Sequence, residues 1–493
     1  MVENFLLVDI DGLRPDVLET ALEEGRLPNI ARLLGGSGLE RGALLPVLAP
    51  APSITFTSQA CLFTGAHPDE HGIPGNQFFD RFGTQQDGTP RHYAFDVGDT
   101  LAVDDAVRVF SDGLAAQCLL APTLYHAASE RGWRSVVACH MYALEADAWL
   151  KPSLTSLARF TKGGNLFGLS APEYDRHTLK KVLDELARSG LPNILTVYFM
   201  GLDHESHVHG PQAQAGYLVD VLDPMLGELW EKVVALSGSH RPFVLLFSDH
   251  GQIGVPADDQ HSIRLGFPFE REMGHLFDAL GLDVHDFPGE DPNCDAVVAS
   301  NGGLAHVYLQ NRTSRWADAP DFERDVFPVA QAFWESHASG IYAPELRGAL
   351  AGVLVRDVEH QSWSAGYQAL TPQGDRIPLE EWFAAQPPGL YADPVNRLHN
   401  LAGPLTGDLL LASNYAGGYY FAQPLLGMHG GLHPQDSWAA LALGWPESPQ
   451  AKWNAARAAF SKAIQARCQA EDNRQPSTAD MLAGLSGLLL AVP

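Results

Sequence analysis

The chain predicts a doubly wound α/β fold, a mainly parallel sheet with helices on both faces, and three observations carry that prediction. Phe5 to Ile10 (FLLVDI), Asn193 to Met200 (NILTVYFM) and Pro242 to Ser248 (PFVLLFS) are apolar runs rather than alternating ones, the pattern of strands buried on both faces. Each carries or is followed by acid at its carboxyl end: Asp9 and Asp11, Asp203, and Asp249. Segments with helical spacing lie between them, as crossovers joining parallel strands require. Ligands of open α/β sheets sit beyond the carboxyl ends of the strands, so these acids stand where a site is expected.

After the first strand, Pro15 and Asp16 open a helix carrying Val17, Leu18, Leu22, Leu27, Ile30 and Leu33 at roughly helical spacing, broken at Gly25. Pro52 to Asn76 (PSITFTSQACLFTGAHPDEHGIPGN) predicts a turn, a short helix from near Thr55, and a loop closed by His71-Gly72. A hydroxyl at a helix start ordinarily caps the free backbone N–H groups. The same position faces the positive end of the helix, where phosphate is also accommodated. A helix near residues 121–131 leads to a strand over Arg134–Cys139, and a helix over Glu173–Ser189 leads to the second buried strand. Tyr217 to Leu236 again has helical spacing ahead of the third. From residue 252 to 420 the pattern loosens into Pro-, Gly- and Asp-rich stretches, with strands expected in Ser300–Leu309 and Gly352–Val358. At 493 residues the chain exceeds one ordinary core. The expected organisation is a catalytic core over 1–251 and 421–493, with 252–420 as an inserted cap or accessory subdomain. A helix is expected over about 451–470.

Composition narrows the function classes. With 32 Lys and Arg against 59 Asp and Glu, the formal charge of −27 disfavours stable nucleic-acid binding or adsorption to anionic membranes. It is compatible with a small phosphorylated substrate, because bound divalent cations reverse the local field. A 45% hydrophobic and 18% charged composition is that of a soluble globular protein. Five scattered cysteines with no CxxC pair indicate neither a disulfide framework nor a cysteine zinc site. The start MVENFLLVDIDG has no basic and apolar leader pattern, and no run reaches the ~18–20 apolar residues of a membrane span. A cytoplasmic protein without membrane attachment is the expectation.

Asp11, Asp203, His207, Asp249, His250 and His429 offer carboxylates and imidazoles without thiols, a donor set suited to zinc, or to manganese or iron. Three Asp and three His fill two sites of three protein ligands each, with open positions left over. Two cations ~4 Å apart can clamp a phosphoryl oxygen and activate a nucleophile. Singly, these residues have plainer readings. Asp11 reads as a loop carboxylate capping the next helix, Asn76 as turn chemistry, and His71 as a turn-stabilising residue. HESH at 204–207 is one residue short of HExxH and is expected to follow a strand rather than lie on a helix, which argues against a metalloprotease. His204 and His209 read as solvent-facing or as orienting a ligand. His433 follows His429 by four, but Gly430, Gly431 and Pro434 argue against a helical ligand pair. Asp9-Ile-Asp11-Gly resembles the haloacid dehalogenase signature, yet Leu13-Arg14-Pro15 departs from it and no paired-acid motif follows Asp249.

Six blocks in order carry a broader resemblance: IDGLRPD at 10–16, LPNIARL at 27–33, SITFTSQACLFTGAHPDEHGIPGN at 53–76, GLDHESHVHGP at 201–211, FSDHG at 247–251 and GMHGGLHPQD at 427–436. With them the chain resembles the alkaline phosphatase superfamily, and within it the type I phosphodiesterase/nucleotide pyrophosphatase group. The resemblance implies an alkaline-phosphatase-like doubly wound sheet sandwiched by helices, with an inserted cap, and a metal-dependent phosphoric ester hydrolase. It implies two divalent ions, zinc before manganese or iron. Asp203, His207 and His429 match the ligands of one; Asp11, Asp249 and His250 match those of the other. Thr55 matches the nucleophile, which forms a phosphothreonine that water then hydrolyses with overall retention. Asn76 matches the residue that contacts a phosphoryl oxygen, and the amides after Thr55, notably that of Phe56, hold the same oxygens.

Ser53 is the reserve nucleophile. The sequence departs from the family's common TFPN at Thr55-Phe56-Thr57-Ser58, which leaves the substrate subclass open. Phosphodiester or pyrophosphate hydrolysis leads, with phosphonoacetate-type C–P cleavage or a phosphomonoester as alternatives. Cys61 is followed by Leu-Phe-Thr, unlike the sulfatase CxPxR context. The discriminating feature is an aromatic slot or a basic clamp, with Phe78, Phe79, Asn301, His306 and Tyr415 as candidates. A metal-stabilised binding protein without turnover is the alternative of another class, and the intact Thr55 and Asn76 argue against it.

Overall fold

Four parallel strands, β1 (Phe5–Ile10), β2 (Ser135–Ala138), β3 (Ile194–Phe199) and β4 (Phe243–Phe247), are buried along their whole length, as their unbroken apolar character demands. The structure is a computed structural model describing residues 2–36, 42–84, 87–96, 103–162, 168–238, 240–265, 273–285, 289 and 293–491. β1 sits at the centre of a seven-stranded sheet, between β3 and β4. β2 continues beyond β3 and Ala148–Leu150 forms that edge. On the other side Leu441–Gly444 pairs antiparallel with β4, and Ala43–Leu44 closes the sheet. The three apolar runs read from the sequence are therefore immediate neighbours, and their acids emerge side by side.

Alternation along β1 decides which helix layer each side chain meets. Leu6, Val8 and Ile10 pack with Leu179, Val182 and Leu186 of the helix Ala171–Ser189 and with Leu226 and Leu229 of Asp223–Ser237. Phe5 and Leu7 face the opposite layer, where Phe63, Trp453, Phe460 and Leu485 are buried. Each such side chain contributes ~1.5–3 kcal/mol when fully buried, so both faces are anchored by bulk apolar packing. Local signals fix the helix starts. Ser170 and Glu173 form a capping box at Ala171–Ser189. Pro28–Leu34 has no side-chain cap of its own. The buried Asp223 carboxylate accepts its first N–H groups, from Asn29 at 3.0 Å and Ile30 at 2.8 Å. The helix opened by Pro15 ends at Glu23, and Pro28–Leu34 resumes after the break at Gly25.

A second seven-stranded sheet lies in the looser region. Its order is Val284–His285, Ala296–Asn301, Leu304–Leu309, Leu409–Ser413, Leu350–Val355, Gln368–Leu370 and Arg376–Ile377. Only its first pair is parallel. The helix Phe327–Ser339 buries Ala330 and Phe333 in this sheet's own core. The expected strand in Ser300–Leu309 is the turn and second half of a hairpin, reversed at Gly302 with φ +67°. The strand expected over Gly352–Val358 runs instead from Leu350 to Val355, because the Asp357 side chain accepts the His360 N–H and starts the helix Val358–Gln361. A helix Asp480–Ala491, not expected from the sequence, packs against Gln450–Ala470. All five cysteines are buried free thiols. Among the described residues no helix is long and apolar enough to cross a membrane.

Candidate active site

The helix α1 (Thr55–Thr64) starts where the extended segment ending at Ile54 meets the carboxyl edge of the sheet, and it stops at Gly65 with φ +69°. Thr55 is its first helical residue rather than its cap, and Ile54 offers no side-chain cap. The Thr55 hydroxyl lies instead 3.2 Å from His250 Nε2. Capping passes to Asn76, whose Oδ1 accepts the Phe56 N–H at 2.9 Å. The Phe56 carbonyl accepts the Tyr142 hydroxyl at 2.8 Å, so the first turn of α1 is held through both the N–H and the C=O of Phe56. Ser53, the reserve nucleophile, is fully buried. Its hydroxyl donates to Gly431 O at 3.0 Å and accepts the Gly430 N–H at 3.1 Å. Ser53 thus ties two loops together.

One sequence expectation is corrected here. Asp203 and His207 do not sit on a loop after β3: they lie four residues apart on one face of a helix, α2 (Gly201–His209). The helix starts at once because Gly201 packs where a Cβ would collide with the Tyr217 hydroxyl and the Asp175 carboxylate. Asp175 also accepts the Gly201 N–H at 3.2 Å and the Tyr217 hydroxyl at 2.8 Å. The stretch DHESHVH lacks an apolar stripe, so periodicity could not reveal the helix.

The six candidate ligands form two groups. Asp203, His207 and His429 bring one ligand atom each to within 4.8 Å of one another, and so do Asp11, Asp249 and His250. His207 Nε2 is 3.2 Å from Asp203 Oδ2, and His429 Nε2 is 3.7 Å from Asp203 Oδ1. His250 Nε2 is 3.5 Å from Asp11 Oδ1 and 3.4 Å from Asp249 Oδ2. Each imidazole has its other nitrogen on a backbone carbonyl: His207 Nδ1 on Gly427 at 2.8 Å, His250 Nδ1 on Gly251 at 2.9 Å, His429 Nδ1 on Ser53 at 3.1 Å. A carbonyl only accepts, so each neutral ring carries its proton on Nδ1 and presents a lone pair at Nε2. His71, His209 and His433 lie outside both groups. His71 Nδ1 accepts the Ile73 N–H in the turn, His209 pairs with Glu205, and His204 packs against the Phe160 ring.

This donor set fits cations. Asp11 Oδ1 and Asp249 Oδ2 are buried with no hydrogen-bond partner, as carboxylate oxygens awaiting a cation would be. Burial, and then the charge of Asp249, raises the Asp11 carboxyl well above its ordinary value. Burial also raises Asp249, against the opposing pull of His250. For Asp203 burial acts upward, but His207 and His429 outweigh it and hold the carboxyl low. Burial and the neighbouring His250 push His429 down. Tyr198 donates to Asp11 Oδ2 and Gln252 donates to Asp203 Oδ1, which orients both carboxylates.

Beside these groups opens a cavity of about 340 Å³ that reaches Thr55, Asn76 and residues of both groups. None of Phe78, Phe79, Asn301, His306 or Tyr415 lines it. Phe78 and Phe79 are core residues. Asn301 holds the backbone of Gln77, His306 holds Pro74 and Gly407, and the Tyr415 hydroxyl donates to His429 O at 3.1 Å. The aromatic wall comes instead from Phe95, Phe110 and Phe160, which the sequence reading missed. The apolar spacing of Phe110 and Phe160 in the helices Val103–Ser111 and Leu154–Lys162 signals burial without saying against what. Arg397 was missed as well. It is buried and donates to Pro50 O at 2.7 Å, Gly431 O at 3.1 Å and Ser437 Oγ at 2.9 Å. It thereby pins the loop before Thr55 to the loop after His429.

The profile of the type I phosphodiesterase / nucleotide pyrophosphatase family matches residues 5–352. An uncharacterized pyrophosphatase/phosphodiesterase of Schizosaccharomyces pombe is 25% identical over 311 residues, covering 59% of this chain and 53% of that protein. The chain thus spans about half the length of that curated relative. Among solved structures, murine ectonucleotide pyrophosphatase / phosphodiesterase 5 superposes with a TM-score of 0.51 at 14% identity, covering 90% of this chain and 88% of that one. Phosphonoacetate hydrolase from Sinorhizobium meliloti 1021 superposes with a TM-score of 0.52 at 16% identity, covering 99% and 96%. At these identities the likeness is one of fold, and it bears out the alkaline-phosphatase-like α/β class expected from the motif blocks.

Proposed function

We propose that this chain, which belongs to the type I phosphodiesterase / nucleotide pyrophosphatase family, hydrolyses small phosphodiesters through a covalent phosphothreonine at Thr55. The observation that carries the reading is the Thr55 hydroxyl, 3.2 Å from His250 Nε2, at a helix start and on a cavity shared with both ligand groups. Asp203, His207 and His429 would hold one divalent cation, and Asp11, Asp249 and His250 a second, zinc being the ion this Asp/His donor set suits. When bound, the cations supply positive charge to the phosphoryl oxygens and acidify the nucleophile.

The chain's own residues do the rest. In the first half-reaction the Thr55 Oγ–P bond forms as the Thr55 hydroxyl gives up its proton, the P–O bond to one ester arm breaks, and that arm's oxygen takes up a proton to leave as the alcohol. In the second, water adds to phosphorus and returns Thr55 with its proton. Asn76 holds the Phe56 amide and so fixes where Oγ1 points, while its Nδ2 supplies a donor for a phosphoryl oxygen. The Gly251 carbonyl on His250 Nδ1 keeps Nε2 aimed at Thr55. We read residues 252–420 as an accessory subdomain on the 1–251 and 421–493 core, with Arg397 as its link to the catalytic loops.

The test is metal analysis of the purified protein, with wild type and Thr55→Ala assayed on bis-p-nitrophenyl phosphate and p-nitrophenyl phosphate. Diester turnover with two bound divalent ions, reduced at least ~10³-fold in the variant, supports the reading. A monoester preference moves the protein to the phosphatases. Bound metal without Thr55-dependent turnover of either ester leaves C–P bond cleavage or a binding role.

A further inference from the structure

The cavity beyond the phosphoryl position has a chemical character of its own. Its far wall is built from the helices Val103–Ser111, through Ala106 and Phe110, and Leu154–Lys162, through Leu157 and Phe160. Phe95 completes it, standing 5.1 Å from the Phe56 ring. Phe110, Leu157 and Phe160 are 6%, 4% and 8% exposed, so among the described residues these side chains form a buried wall, whereas Val208 at the cavity margin is 44% exposed. The wall is also braced: Phe160 stacks on Tyr174 at 4.5 Å, and Phe95 packs edge-on against Phe78 at 5.6 Å. A preformed apolar surface of this kind binds without first having to be ordered.

Charge points the same way. Among the described residues no Lys or Arg lines the cavity, and its ionisable residues outside the two ligand groups are Asp96, His204 and Tyr198. A second phosphate or a carboxylate on the substrate would meet no guanidinium or ammonium among the described lining residues, and it would stand in a cleft that also holds Asp96. An anion taken out of water without a partner is costly. An alkyl or aryl group loses nothing on the same wall and gains the transfer of its surface out of water.

Building on the phosphodiesterase reading above, we propose that one ester arm of the substrate is an uncharged apolar chain or ring. Phe95, Phe110, Leu157 and Phe160 are the residues that select it, and the site discriminates against an arm bearing a second anion. The chemistry at phosphorus is unchanged by the arm: Oγ–P forms, P–O breaks, and one alcohol leaves with a proton.

The test uses the full-length metal-loaded protein and a homologous series. Methyl, hexyl and 5-carboxypentyl p-nitrophenyl phosphates share one leaving group, and the matching methyl-, hexyl- and 5-carboxypentylphosphonates report binding by calorimetry without turnover. Burial of a methylene corresponds to about fourfold, and allowing for incomplete burial the hexyl member is expected to exceed the methyl member at least 30-fold, both in kcat/KM and in phosphonate affinity. The carboxylated chain is expected to lose most of that gain. Phe110→Ala and Leu157→Ala are expected to shrink the hexyl-to-methyl ratio, but the wild-type series decides the matter without a variant. A flat series, or tighter binding of the carboxylated chain, overturns the proposal even where Thr55-dependent diester turnover is intact. If no diester turns over, the phosphodiesterase reading fails, and the phosphonate affinities still decide the selectivity in either direction.

Discussion

His207 and His429 face each other Nε2 to Nε2 at 3.2 Å, and neither ring can turn away, because Nδ1 of each is held by a backbone carbonyl. Two lone pairs at that distance repel unless a proton or a cation lies between them. Asp203 carries charge to the same spot, and the rings of His250 and His429 stack 3.8 Å apart. The sequence places these residues far apart, and only the fold brings their imidazoles and the Asp203 carboxylate to one point.

Chelation is therefore expected to lower both stability and activity. A ligand at a thousand times its Kd stabilises by ~4 kcal/mol, which at ~2–4 °C per kcal/mol for larger domains gives a fall in Tm of roughly 10 °C. Zn²⁺ should restore it. In His429→Ala the chelator-induced fall should be smaller, and scanning fluorimetry with and without chelator measures both.

Asn76 caps Phe56 and, in the function proposed above, also donates to phosphate; two variants separate these roles. Asn76→Asp keeps the acceptor for the Phe56 N–H but replaces the donor with negative charge. It is expected to lose ~10²-fold in kcat, as for an oxyanion donor, with Tm near wild type. Asn76→Ala should lose activity and also ~1 kcal/mol of stability with the cap.

Arg397 reaches Pro50 O and Gly431 O with one guanidinium, which a lysine ammonium cannot match in geometry. Arg397→Lys and Arg397→Met are both expected to destabilise by ~2–4 kcal/mol and to lower kcat more than they raise KM. Urea unfolding and steady-state kinetics on the same preparations check this. An unchanged kcat in a folded Arg397→Lys protein would show that the clamp does not position the loops.

Asp175 gives a pH signature. Burial pushes its carboxyl up to about 7, against the hydrogen bonds from Tyr217 and the start of α2. The folded value exceeds the ordinary 3.8, so the native state binds the extra proton and stability falls as pH rises between about 4 and 7. The window corresponds to at most ~4 kcal/mol. Asp175→Asn retains an acceptor for Gly201 and should flatten this slope. The difference between the two proteins in denaturant unfolding at pH 5 and pH 8 measures it, since the shared histidines cancel.

Much of the framework was legible because it rests on local rules. Unbroken apolar runs mark strands buried on both faces, and Asp11 and Asp249 follow two of them, so their place at the carboxyl edge needs no tertiary information. Helix α2 was not legible. DHESHVH has no stripe, and what makes it helical is Asp175 and Tyr217 packed against Gly201, from a different part of the chain. The cavity wall was illegible for another reason. Phe95, Phe110 and Phe160 look in sequence like any core aromatics, and the five candidates named beforehand were consumed by packing and backbone support.

By itself the sequence determined the α/β class, the order of the central strands' acids, and a hydroxyl at the start of a helix. These follow from residue type and short-range spacing, which act within a few residues of the chain. Tertiary structure alone decided that β4, β1 and β3 are neighbours, that three imidazoles turn Nε2 inward, and that the cavity beside Thr55 is apolar and lacks basic residues among those described. Each of those depends on contacts between residues up to several hundred positions apart, such as Ser53 with His429, and their energies have no counterpart in local sequence.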